Sequence, residues 1–163
     1  MADTNAAFLK PGAGERVFNR LFGIMVGLGL GLAHNYLLEV RGRKTGNTYS
    51  TPVNVLDVEN RRYLVCGRGR AQWVRNAEAA GRVTLKKGSQ RIEYTLHPVA
   101  NEQKPALLKH YLDRYKTTVQ RYFPMPAGSP ASAFDAVAGR YPVFELITAT
   151  IGDRADYRPS GKS

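Results

Sequence analysis

The chain has 163 residues, of which 43% are hydrophobic and 23% charged, so it is one globular domain's worth of sequence and not a disordered polymer. Its 24 Lys and Arg against 13 Asp and Glu leave a formal charge of +11, which calls for an anionic partner: a phosphorylated or carboxylated small molecule, nucleic acid, or an acidic membrane face. A single cysteine, Cys66, excludes an internal disulfide framework and any Cys-based metal site.

In chain order, Lys10, Arg16 and Arg20 precede an uncharged run from Leu21 to Ala33, LFGIMVGLGLGLA. Its 13 residues are too few to span a bilayer as a helix. Gly23, Gly27 and Gly31 fall on one helical face, where another backbone can approach closely. The run reads as a first helix packed on the domain, the alternatives being an interfacial membrane helix and a cleaved signal. Tyr36 to Arg43 reads as a strand, followed by a Lys-Thr-Gly turn and a second strand from Thr48 to Val58. Glu59 and Asn60 form a hairpin loop into a third strand, Arg61 to Cys66. CGRGRA then breaks the strand, and Gln72 to Ala80 forms a short helix stopped by Gly81. Arg82 to Lys86 is a further strand, turned by Gly88 and Ser89 into a long one. There Ile92, Tyr94 and Leu96 alternate with Arg91, Glu93, Thr95 and His97, so one face is buried and the other wet. After Asn101, an expected N-cap, Leu108, Tyr111, Leu112, Tyr115 and Val119 recur at helical spacing up to Phe123. FPMPAGSPAS is a Pro-rich loop, and Val143 to Thr148 closes the fold as a last strand. Six strands joined by hairpins rather than βαβ crossovers predict an α+β antiparallel barrel. The expected organisation is an N-terminal tail over 1–14, a single domain over 15–152 and a C-terminal tail over 153–163.

No pair among His34, His97 and His110 has metal-ligand spacing, and Ser50, Ser89 and Ser129 lie in no nucleophile-elbow pattern. Two other segments carry chemistry. RGRKTG, Arg41 to Gly46, puts cations beside a turn with exposed backbone N–H groups, a setting that suits phosphate or carboxylate. CGRGRAQWVRN, Cys66 to Asn76, ends a strand in a Gly-rich loop with Arg68 and Arg70, then starts a helix whose N-terminal amides form a second anion site. Trp73 either packs in the core or walls a flat ring.

Taken together and in this order, LLEVRGRKTGNTYSTPVNVLDVENRRYLVCGRGRAQWVRNAEAAGRVTL resembles the deazaflavin-dependent nitroreductase or quinone-reductase family over roughly Leu21 to Val99. The resemblance implies a split β-barrel of the flavin-reductase and pyridoxamine-phosphate-oxidase type. It also implies reduced coenzyme F420 as cofactor, a deazaflavin with a phosphate and an oligoglutamate tail, passing a hydride to a quinone, nitroarene or activated enone. Carried over, Arg43, Lys44, Thr45 and Gly46 would hold the phosphate and the start of the acidic tail. Pro52, Val53 and Asn54 would run beside the ring system, with Gly67, Arg68 and Gly69 looped over it. Trp73, Arg75 and Asn76 would complete the pocket. Tyr111, Tyr115 and Tyr122 are the candidates on the acceptor side, where a phenol can hydrogen-bond a carbonyl or nitro oxygen; their spacing is equally that of core packing.

FMN in the same barrel is the alternative cofactor, since it too carries a phosphate. A basic nucleic-acid-binding module and a non-catalytic cofactor or lipid carrier are the alternatives of another class. No recognised nucleic-acid motif is present, so nucleic acid is not the expected partner. The expected setting is cytoplasmic, with weak, salt-sensitive attachment to an anionic membrane through the apolar run and its upstream cations.

Overall fold

A computed structural model describes residues 33–149 and Arg20. The helix expected over Leu21–Ala33 lies outside the described residues except for Ala33, which sits in a turn, and the two expected tails lie outside them altogether. Six strands, β1 (Asn35–Arg41), β2 (Thr48–Val58), β3 (Arg61–Val65), β4 (Arg82–Lys87), β5 (Gln90–Pro98) and β6 (Val143–Thr148), close into a barrel in the order β1-β2-β3-β6-β5-β4. Every neighbouring pair is antiparallel. This is the α+β barrel read from the sequence, with β1 and β3 ending at Arg41 and Val65, two and one residues early, and β4 running one residue further to Lys87. The β2–β3 turn places Glu59 and Asn60 at φ 50° and 63°, the left-handed pair that a two-residue hairpin needs to match strand twist.

Among residues 33–149, two α-helices complete the layers, α1 (Gln72–Ala80) and α2 (Lys104–Val119). Gly81, at φ 71°, ends α1 by donating its N–H to the Ala77 carbonyl at 2.8 Å. Alternation along the strands builds two cores. Leu38, Val40, Val55, Leu64, Leu85, Tyr94 and Phe144 point into the barrel, where Val74 and Ala77 of α1 join them. Their sequence neighbours Leu56, Tyr63, Val65 and Val143 point outward, and α2 covers them with Leu108, Tyr111, Leu112, Tyr115 and Val119. The β2-β3-β6 wall is therefore apolar on both faces.

Three expectations need correction. Ile92 is 37% exposed while Tyr94 and Leu96 are buried, so the inward face of β5 begins only at Tyr94. Asn101 opens a 3-10 turn, Asn101–Gln103, and α2 starts at Lys104 with no side-chain cap, Pro105 supplying the helix-compatible φ of its first turn. The Pro-rich segment ends where a 3-10 helix begins: Ala131–Arg140 buries Phe134 completely against the α2 side. A 3-10 helix has no 3.6-residue stripe, so hydrophobic periodicity does not reveal it.

Candidate active-site cleft

The site follows from a mismatch in strand length. Along β2, Thr48–Asn54 pair with β1, whereas β3 pairs with β2 only over Val55–Val58. The longer strand thus runs on with β1 at one side and a cleft of about 1190 Å³ at the other, lined by Tyr49, Ser50, Thr51, Pro52, Val53 and Asn54.

One end of the cleft is the β1–β2 turn. Gly42 and Gly46 close it, with Gly42 N–H donating to the Asn47 carbonyl at 2.7 Å and Gly46 N–H to the Gly42 carbonyl at 2.9 Å. Gly46 takes φ 72°, and a side chain at Gly42 would run into the Tyr49 ring. Thr45 Oγ1 meets Tyr49 Oη at 3.0 Å and accepts the Asn47 N–H at 3.2 Å. The amides of Gly42, Arg43, Gly46 and Asn47 are thus all bonded within the protein, and what this turn offers the cleft is the side chains of Arg43, Lys44 and Thr45. The expected amide cradle is thereby narrowed to the N–H groups of Lys44 and Thr45 at the tip of the turn.

Arg43 is also tied down. Its Nη1 donates to Asn76 Oδ1 at 2.8 Å and to Gln72 Oε1 at 3.1 Å, and its own N–H reaches the same Asn76 oxygen at 3.3 Å. Asn76 is 7% exposed and belongs to α1, so the two segments singled out in the sequence are bolted together in space. The first turn of α1 faces the cleft through Ala71, Gln72 and Trp73, and no side chain caps it. Its N–H groups and the positive end of its dipole complement Arg43 and Lys44.

The facing wall comes from α2 and the β3–α1 loop. Tyr111 lines the cleft at 5% exposure, and burial, reinforced by nearby Cys66, holds its phenol well above the ordinary range. Asn54 hydrogen-bonds that phenol and accepts from Asn35 Nδ2 at 2.5 Å. Cys66, 4% exposed, is likewise pushed up to about 11 by burial, which keeps it a neutral thiol at ordinary pH. Beyond a kink at Tyr115, Thr117–Gln120 continue the wall into a 3-10 turn, Gln120–Tyr122. There Arg68 Nε and Arg121 Nη2 donate to Tyr122 Oη at 3.1 and 2.7 Å, with their guanidinium carbons 5.6 and 4.8 Å from the ring centroid. The Tyr122 ring lies on Gly67, where an added Cβ would stand 3.2 Å from it.

Of the residues expected from the sequence, Arg43, Lys44, Thr45, Pro52, Val53, Asn54, Gly67, Arg68, Trp73, Asn76, Tyr111 and Tyr122 share this one cleft. Gly46, Gly69 and Arg75 do not line it. Gly46 and Gly69 shape the turns at its rim, at φ 72° and 78°, while Arg75 is exposed on α1. Tyr115 is outside as well, its hydroxyl donating to the Val55 carbonyl at 2.5 Å and its ring against His34 at 4.5 Å. Sequence reasoning passed over His34, Asn35, Gln72, Thr117, Thr118 and Arg121. For Gln72 the signal was its position one residue past the uncapped helix start; the others come together only by tertiary packing.

A family model described as F420H(2)-dependent quinone reductase matches residues 15–123. No curated protein matches the sequence. Among solved structures, the chain is similar to a protein of unknown function from Agrobacterium tumefaciens at TM-score 0.54 and 14% identity, over 87% of this chain and 58% of that one. It is also similar to HutZ, the heme storage protein from Vibrio cholerae, at TM-score 0.51 and 9% identity, over 72% and 82%. A structure of an F420-H2 dependent reductase, FDR-A, aligns at TM-score 0.48 and 16% identity, over 70% and 94%. The first two likenesses concern the fold alone, and the third adds nothing to them. The family model covers the β1–β2 turn, the β2 edge, α1 and α2, which is the whole cleft.

Proposed function

Because the chain belongs to the F420H(2)-dependent quinone reductase family, we propose that it passes a hydride from reduced coenzyme F420 to a quinone, nitroarene or activated enone bound in this cleft. The family makes it an F420-dependent reductase with the reduced deazaflavin as cofactor; the acceptor and the residue roles are this reading's own. The observation that carries it is the charge of the cleft. The described lining puts Arg43 and Lys44 together at the β1–β2 turn and holds no Asp or Glu, which fits a cofactor whose non-reacting end is a phosphate and a run of glutamates. The volume of about 1190 Å³ admits a tricyclic ring and an acceptor together.

When bound, the reduced deazaflavin supplies the hydride. Arg43 and Lys44 neutralise the phosphate and the start of the tail, and the bolting of Arg43 to α1 means little side-chain entropy is lost when it binds. The β2 edge at Pro52–Asn54 and the Gly67 loop would position the ring, and Trp73 would wall it. Tyr111 Oη, held protonated by burial, donates to the acceptor oxygen that gains charge, and the proton comes from that phenol or from water.

The test is the loss of reduced-cofactor absorbance with protein and each acceptor class present. Oxidation that depends on protein and saturates in acceptor supports the reading; FMN binding as tight as or tighter than F420 in parallel titrations overturns the cofactor assignment. No described helix is long and apolar enough to cross a membrane. The apolar run at 21–33, with its upstream cations, is proposed to give a cytoplasmic enzyme weak attachment to anionic bilayers. Flotation with acidic liposomes at low salt checks this against a variant lacking the first 33 residues, and full-length protein left wholly in the unbound fraction refutes it.

A further inference from the structure

The β1–β2 ladder runs from Arg41 and Thr48, beside the cationic turn, to Asn35 and Asn54, which face each other directly at its other end. Both asparagines line the cleft, and Asn35 is only 5% exposed. Asn35 Nδ2 donates to Asn54 Oδ1 at 2.5 Å, and Asn54 in turn hydrogen-bonds the Tyr111 phenol. Resting on the reductase reading above, we infer that Asn35 and Asn54 are positioning residues: acting in series, they aim the Tyr111 hydroxyl hydrogen into the cleft, so that the site prefers a ligand presenting a carbonyl or nitro oxygen to one presenting a hydroxyl.

The polarity of each bond supports this. An amide has one oxygen that accepts and one nitrogen that donates, whereas a phenol has a single hydrogen to give. With Asn54 Oδ1 held by Asn35, the Asn54 Nδ2 is the group left to meet Tyr111. Burial pushes the Tyr111 phenol up, and the Asn54 bond works against that rise. A bond that favours the ionised form is one donated to the phenol oxygen. The phenol hydrogen is therefore not spent on Asn54. Asparagine is also depleted in strands, and burying its amide costs free energy unless it is paired, so an apolar pair would hold β1 to β2 at least as well. Directing a hydrogen is something an apolar pair could not do.

Two carboxylate substitutions reverse the direction with little change of shape. Asn54→Asp still accepts from Asn35 but has no N–H for the phenol, so it captures the phenol hydrogen. Asn35→Asp acts one step back: it draws Asn54 Nδ2 to itself and leaves Asn54 Oδ1 to capture that hydrogen. The probes are 1,4-naphthoquinone and 1-naphthol, titrated by calorimetry onto the full chain with and without oxidised F420. The quinone-to-naphthol affinity ratio is expected to fall about tenfold in both variants, and neither substitution should lower it further in a Tyr111→Phe background. Turnover with the quinone should fall about as far as in Tyr111→Phe. Thermal melts establish which variants are folded, and an unchanged ratio in either folded variant overturns the inference. So does an unchanged ratio in Tyr111→Phe, since the phenol then does not meet the ligand. If the ratio shifts as expected but no acceptor oxidises the reduced cofactor, the aiming of the phenol stands and the reductase reading fails instead.

Discussion

The β1–β2 turn and the α2 wall face each other across one cleft but are held in place by opposite means. On the turn side, polar bonds do the fixing: Asn76 and Gln72 grip Arg43, and Thr45 grips Tyr49. On the α2 side, Leu108, Leu112 and Val119 bury themselves under the barrel wall, and Tyr111 and Tyr122 are carried into the cleft by that packing. On the proposed reading, the polar side takes the constant, charged part of the cofactor, where direction matters. The packed side can exchange one side chain for another without losing its frame, so on the same reading it is where acceptor preference would vary.

The sharpest way to break the comparison is to remove the charges on the polar side. Arg43→Ala with Lys44→Ala should weaken F420 binding by about a hundredfold or more, each lost charge-assisted bond being worth ~1.5–3 kcal/mol. Titration of the deazaflavin absorbance measures it, and unchanged affinity in a folded double variant would move the phosphate elsewhere. The tyrosines test the packed side. Tyr111→Phe should lower kcat roughly tenfold to a hundredfold if its phenol is the proton donor. Tyr115→Phe should leave turnover alone and cost about 1–2 kcal/mol of stability through the Val55 carbonyl, read as a lower Tm. If both variants behave alike, the assignment of one to chemistry and the other to packing is wrong. Next comes Asn76→Leu, which keeps every charge but unbolts Arg43; cofactor affinity should drop about tenfold, with kcat at saturation unaffected. The smallest effect is one of pH. With Cys66 raised from 9.0 to about 11, the thiol is protonated in both folded and unfolded chains below pH 9, so its contribution is complete there. Above that the unfolded chain ionises first, and stability falls as pH rises towards 11. Cys66→Ala should flatten part of that alkaline fall in Tm, the remainder belonging to the buried phenols of Tyr111, Tyr115 and Tyr141.

The same division governs what could be read from the residues. The strands at Thr48–Val58 and Val143–Thr148 and the helix at Gln72–Ala80 were legible to the residue, because β-branched alternation, the Glu-Asn hairpin and Gly81 are local signals. The RGRKTG segment was legible as a turn carrying cations for the same reason, though not the fact that most of its amides are bonded within the protein by its closure. The α2 side was legible as a helix and not as a wall. Tyr111 and Tyr115 share one stripe, and only the Val55 carbonyl decides that Tyr115 faces the barrel. His34 and Asn35 reach the cleft because β1 pairs with β4 and β2 at once, a long-range fact with no local trace.

The uneven pairing of β2 makes the backbone its own gauge of occupancy. Between Val55 and Val58 the strand is laddered to β3, with Val55 also donating to the His34 carbonyl and Leu56 fully buried, so its bonded amides should trade hydrogen for deuterium only when the barrel opens. Over Thr48–Asn54 the amides not turned towards β1 meet solvent in the cleft and should exchange quickly until a bound ring shields them. A single strand therefore carries a slow internal standard and a fast reporter side by side, and their ratio would register filling of the cleft without any label on the ligand.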